Sequence, residues 1–267
     1  MKSEQARSLI SQTFTYAFDK RSFLNFTRNL LNHIDESKAS SWNNQYVKDA
    51  FKEHVQRYER LGTYTSPDKE KVDVLVVHLT KESKLQRART SIRNFVADHL
   101  KTRDEKDAAL VAFVSPTEAT WRFSYVKMEY STVKKDDGKI GVEALLTPAR
   151  RFSYLVGEGE SCHTAQTRFV DLLQDTETDP LLIDLEEAFS VEAVTKEFFT
   201  KYAELFGDIN KALDKLVAKD KMIRDEFKTK NVNTVDFAKK LMGQIVFLYF
   251  LQKKGWLGVV KGKDWGS

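Results

Sequence analysis

At 267 residues, with 41% hydrophobic and 12% aromatic content, the chain can bury a sizeable core, which excludes a disordered tail. Charged residues make up 31% but leave a formal net charge of only +4, so a basic partner surface has to come from local clustering. Cys162 is the one cysteine, which excludes internal disulfides and a thiolate zinc cage and leads us to expect a reducing cytoplasm.

Met1 to Arg7 is polar and leads directly into an amphipathic pattern, so no secretory leader is expected. Three helical patterns follow, with apolar residues spaced by three or four: Leu9 to Phe18, Phe23 to Ile34, and Val47, Ala50, Phe51, Val55, Tyr58. Gly62 is expected to end the third helix, and Ser66-Pro67-Asp68 to turn the chain. Val72 to Leu79 reads as a buried strand, Lys84 to Leu100 as a helix, and Ala108 to Val114 as a second buried strand. A strand, helix, strand order implies a right-handed crossover between parallel neighbours.

Thr120 to Tyr130 and Ile140 to Leu145 are further strands, joined through Asp137-Gly138 as a hairpin. Beyond about residue 160 the patterns are helical, over Thr164 to Leu173, Val191 to Phe206, Ile209 to Lys228 and Thr234 to Lys253. The expected fold is therefore α/β, with α+β as the alternative: a mixed sheet flanked by helices in residues 1–155, then an all-helical connector in 156–267. Ile245 to Leu251 is the longest apolar run, at seven residues far short of the roughly 20 that cross a bilayer. No membrane partner is expected.

Several phrases resemble the amino-terminal region of type IIG-like restriction-modification enzymes, which fuse a nuclease to an adenine methyltransferase. They include Tyr58-Glu59-Arg60-Leu61-Gly62, Asp73-Val74-Leu75-Val76-Val77, Arg87-Ala88-Arg89, Trp121-Arg122-Phe123-Ser124 and Leu146-Thr147-Pro148-Ala149-Arg150-Arg151. Phe189 to Phe199 and Phe247 to Leu257 continue the likeness, so that it spans nearly the whole chain. The resemblance implies a nuclease-like sheet and a helical connector, with double-stranded DNA as partner and a methyltransferase and a specificity element further along the same enzyme. S-adenosylmethionine would serve only that methyltransferase, because its glycine-bearing loop and Asn-Pro-Pro-Tyr-like tetrapeptide are absent from these 267 residues.

Nucleases of the type that the resemblance implies place an Asp on one strand and Glu-x-Lys on the next, so that two carboxylates hold Mg²⁺ and the Lys orients water. Asp73, inside an apolar strand pattern, is the candidate Asp, and Glu82 with Lys84 the candidate pair, with Asp73 and Glu82 as metal ligands and Glu59 as another companion carboxylate. Glu82-Ser83-Lys84 falls after the strand and not on one, so a catalytically inactive DNA-binding or subunit-docking module is the alternative reading. Asp73 itself could equally be an entry residue of the strand that pairs with a nearby cation. Arg87, Arg89 and Arg93, together with Arg150 and Arg151 in an expected loop or helix start after Pro148, are candidate DNA contacts. A solvated helix face balanced by acidic neighbours would produce the same arginines. Trp121, Phe123 and Tyr125 alternate as a core face does, and the five histidines show no ligand spacing.

Overall fold

The computed structural model describes residues 1–81, 89–103, 105–134, 140–253 and 257. It divides into two compact units, Met1–Ser190 and Val191–Ser267. The first is built on a six-stranded mixed sheet whose spatial order follows the chain. Its strands are β1 (Ser40–Trp42), β2 (Val55–Thr65), β3 (Lys71–Leu79), β4 (Ala108–Val114), β5 (Thr120–Lys134) and β6 (Ile140–Gly157). β3 and β4 are parallel neighbours, from Val72 opposite Ala108 to His78 opposite Val114, and the other pairs are antiparallel. The connection between β3 and β4 carries α4 (Arg89–Thr102), as a crossover between parallel strands requires. Its expected first turn, and the Asp137-Gly138 turn, lie outside the described residues.

The sheet is covered on both faces, and the period of two along each strand decides which residues go where. Val72, Val74, Val76, Trp121, Phe123 and Tyr125 face one core, with α1 (Ser3–Phe14), α2 (Lys20–Leu31), α5 (His163–Gln174) and α6 (Leu182–Phe189). Leu75, Val77, Leu79, Val111 and Phe113 face the other, with Ile92, Val96 and Leu100 of α4. The hydroxyls of Tyr64, Tyr125 and Tyr154 donate to the carbonyls of Pro180, Leu182 and Ala188 at 2.5, 3.4 and 2.6 Å, which ties α6 to the sheet. Each such bond leaves a bulky apolar ring in the core while its one polar atom is satisfied.

Expectations from sequence are corrected in two stretches of this unit. The third helix does not form: four residues, α3 (Asp49–Lys52), are helical, and β2 then begins at Val55. Val55 and Tyr58 do share a face, as their spacing of three suggests, but the cause is a bulge in the strand between Val55 and Arg57. One extra residue turns a spacing of three into a same-face spacing in a strand, which imitates helical periodicity. Gly62 accordingly sits inside β2, where a Cβ would meet Ile34 Cγ2 at 2.4 Å and the Asp35 carbonyl at 3.0 Å. Arg150 and Arg151 lie in β6, opposite Lys127 and Val126, not in a loop or helix start. Pro148 does not break the strand, because it falls where pairing jumps from Ala149 to Ala144 and no ladder hydrogen bond depends on its missing N–H.

The second unit is helical: α7 (Val191–Lys219), α8 (Lys221–Thr229) and α9 (Thr234–Lys253). The helix expected to begin at Ile209 is instead the continuation of α7, and the break comes at Asp220, whose carboxylate accepts from Met222 and Ile223 N–H at 2.8 and 3.2 Å. On α9, Ala238 and Met242 are buried, whereas every residue from Ile245 to Phe250 is at least 40% exposed. Among the described residues no helix is long and apolar enough to cross a membrane.

Candidate functional site

Asp73 is fully buried, not an exposed entry to its strand. It projects to the α4 face, where Thr63 Oγ1 donates to one carboxylate oxygen at 2.7 Å and His99 Nε2 to the other at 2.9 Å. Arg60 Nη1 approaches that second oxygen at 3.5 Å, and its Nε donates to the Lys38 carbonyl at 2.8 Å. Burial by itself would raise the Asp73 carboxyl. The hydrogen bonds from His99 and Thr63, with the charge of Arg60, outweigh it and hold the carboxyl below its ordinary value. Trp42 closes the cluster, stacked on Tyr58 at 4.7 Å and flanked by the guanidinium groups of Arg60 and Arg103 at 5.7 and 5.0 Å.

These surroundings do not fit Mg²⁺. The ion is held by several oxygen ligands, usually one or two carboxylates and water, whereas Asp73 faces a guanidinium, an imidazole and a single hydroxyl. Among the described residues no group of three or more His, Cys, Asp or Glu converges to hold a metal ion. Glu82, Lys84 and Arg87 lie outside the described residues.

Glu59 points to the opposite face of the sheet, so it and Asp73 cannot share an ion. Its ladder partner on β3 is Val76, and two residues further along that strand is His78. Lys20, the first residue of α2, pairs with one oxygen of the Glu59 carboxylate. Arg57 Nη1 reaches the other at 2.6 Å and His78 Nε2 stands 3.4 Å from it. Burial would raise the Glu59 carboxyl, but the hydrogen bonds and charges of Lys20 and Arg57 keep it below the usual range. His78 is held down by burial and by the charge of Arg57, with Glu59 acting in the opposite sense.

The remaining candidate arginines are spread out. Arg89 opens α4. Arg93 is half-buried and donates through Nε and Nη2 to Asn94 Oδ1 at 3.3 and 3.1 Å. Arg150 is exposed and pairs with Glu129, while Arg151 places its guanidinium 5.8 Å from the Phe113 ring on the α4 face. Trp121, Phe123 and Tyr125 are core residues.

Lys20, Arg57, His78, Thr63 and His99 were not among the residues that sequence singled out. Lys20 and Glu59 are 39 residues apart and His99 and Asp73 are 26 apart, so no short spacing joins them. The usable signal was the polar series Arg57, Glu59 on one side of β2, which a helical reading of that stretch conceals. No family model, curated protein or solved structure matches the chain.

Proposed function

We propose that this chain is a nuclease-like region of a restriction-modification enzyme that holds double-stranded DNA without cutting it. The observation that carries this reading is the β2–β3 hairpin. Where two adjacent strands of a metal-dependent nuclease would offer an acidic residue opposite Glu-x-Lys, these offer Glu59 opposite Val76, with His78 two residues on. Glu59 is also already neutralised by Lys20 and Arg57. A site with one carboxylate and more cations than anions suits a phosphate group better than Mg²⁺.

On this reading Asp73 maintains the fold, and S-adenosylmethionine belongs to a methyltransferase domain and not to this sheet. The exposed apolar stretch of α9 from Ile245 to Tyr249 supports a second task, docking against other parts of the enzyme. The single cysteine suits work in the cytoplasm.

The test is incubation of the chain with supercoiled DNA and Mg²⁺ beside a binding titration at several salt concentrations. Retention of duplex that weakens steeply with salt, without nicking, is the expected result. Mg²⁺-dependent nicking by the chain would establish the cleaving alternative instead.

A further inference from the structure

Three donors, Lys20, Arg57 and His78, come from three different elements and converge on the two oxygens of Glu59. The ladder between β2 and β3 sets two of them side by side, since Arg57 is the register partner of His78. Glu59 is only 9% exposed, whereas the side chains of Lys20 and Arg57 are 52% and 48% exposed. A lysine has three donors and a guanidinium five, so one carboxylate engages a fraction of them and outward N–H groups face solvent. Two fixed positive charges over one negative charge leave a local excess of one, and a proton on His78 would add another. A cluster with this charge attracts an oxyanion, which two bare carboxylates would repel.

We propose that Lys20, Arg57 and His78 form an oxyanion site for a phosphate group, a backbone phosphodiester if the DNA-holding reading on which this rests is right. The ligand sits outside Glu59, against the exposed ends of Lys20 and Arg57, with the His78 imidazole as its third donor. Among the described residues the charged groups that face His78 are Arg57 and Glu59 from β2 and Lys20 from α2. His78 is held below its ordinary value in the free protein. A bound anion lifts it, so binding takes up a proton. Affinity is therefore greater below the value of His78 in the complex, and the gain is lost as pH rises past it.

The experiment is an NMR titration of the histidine rings of the whole chain with and without sulfate, whose charge is constant over this range. The His78 signal is assigned by its loss in His78→Gln. Sulfate, a dianion, is expected to move the His78 titration up by at least about one unit, which its two charges a few ångströms away supply even when screened as in water. The ring signals of His99, on the other face, serve as the internal control, and sulfate should leave their chemical shifts unchanged. Lys20→Ala with Arg57→Ala should abolish the shift, and Lys20→Gln alone should reduce it if the double variant folds poorly. A His78 titration that sulfate and duplex DNA both leave unchanged overturns the inference, whether or not the chain cuts DNA. A shift with sulfate but not with duplex supports the oxyanion site and assigns it to free phosphate compounds. Nicking with Mg²⁺ would refute the non-cleaving reading while leaving the sulfate result in force.

Discussion

Replacing Asp73 by Asn separates a structural carboxylate from a metal ligand. The amide keeps the size of the side chain but can present only one acceptor, whereas Asp73 receives Thr63 at 2.7 Å, His99 at 2.9 Å and Arg60 at 3.5 Å. A hydrogen bond to a charged group contributes about 1.5–3 kcal/mol, and removal of one partner from a buried ion pair costs about 3–5 kcal/mol. We expect about 3 kcal/mol, the lower end, because one acceptor survives. For a unit the size of Met1–Ser190, at about 2–4 °C per kcal/mol, that is a fall in Tm of about 6–12 °C. Thermal unfolding followed by tryptophan fluorescence reads it, with Trp42 next to the cluster. His99→Asn and the double variant complete a cycle whose coupling should reach at least about 1 kcal/mol. The acid limb gives a second readout. The folded Asp73 carboxyl lies below its ordinary 3.8, so its contribution is present above that value and is lost as pH falls through the folded one. Wild type and Asp73→Asn should therefore converge in acid. A variant within about 0.5 kcal/mol of wild type at neutral pH would refute the structural role, since that is the range of an ordinary surface change.

Gly62→Ala should destabilise by about 1–3 kcal/mol, because its Cβ meets Ile34 Cγ2 at 2.4 Å, and should cost less in an Ile34→Ala background. Urea unfolding of the four proteins checks this; equal costs in both backgrounds would point to the Asp35 carbonyl instead. Arg87, Arg89 and Arg93 replaced together by Ala should make DNA binding less salt-dependent, the slope falling by about 0.9 for each phosphate that the arginines neutralise, alike for unrelated sequences. An unchanged slope would assign them to the fold. Phe247→Lys, at a position 59% exposed, should change stability by no more than about 0.5 kcal/mol in urea unfolding. A larger loss of stability would mean that Phe247 is packed in solution.

The sheet was legible where a strand is apolar on both faces. Val72 to Leu79 and Ala108 to Val114 need no partner to be recognised, and their parallel pairing follows from the helix between them. β2 was not, because a strand with one polar side and a bulge has the spacing of an amphipathic helix. That single misreading hid the candidate site, since Arg57 and Glu59 become neighbours of His78 and Lys20 only once β2 is paired with β3. α6 was missed for a different reason. Its eight residues are too few for a periodic signal, and tyrosine hydroxyls of the sheet hold it in place. Asp73 was legible as an unusual residue, and the reading in which it pairs with a nearby cation holds for Arg60, although at a buried position and not at the entry to the strand. A carboxylate in an apolar strand states a desolvation cost, and only the fold reveals that Thr63, His99 and Arg60 meet it.

The second irregularity of β2, between Arg60 and Gly62, governs how the chain tolerates gaining or losing a residue. Strict alternation would send Arg60 and Thr63 to opposite sides, yet both reach Asp73. The additional residue restores their common side and leaves Leu61 and Tyr64 together in the other core. Deletion of Leu61 would leave Arg60, Gly62 and Thr63 opposite Leu75, Val74 and Asp73 in plain alternation, so Thr63 and Tyr64 would keep their sides and only the Leu61 side chain would be lost from the core. A regular stretch of strand has no such slack, since losing one residue there turns every later side chain to the other face. The step between Arg60 and Gly62 is therefore a place where related sequences can be one residue shorter and still keep both β2 donors of Asp73 on its side of the sheet.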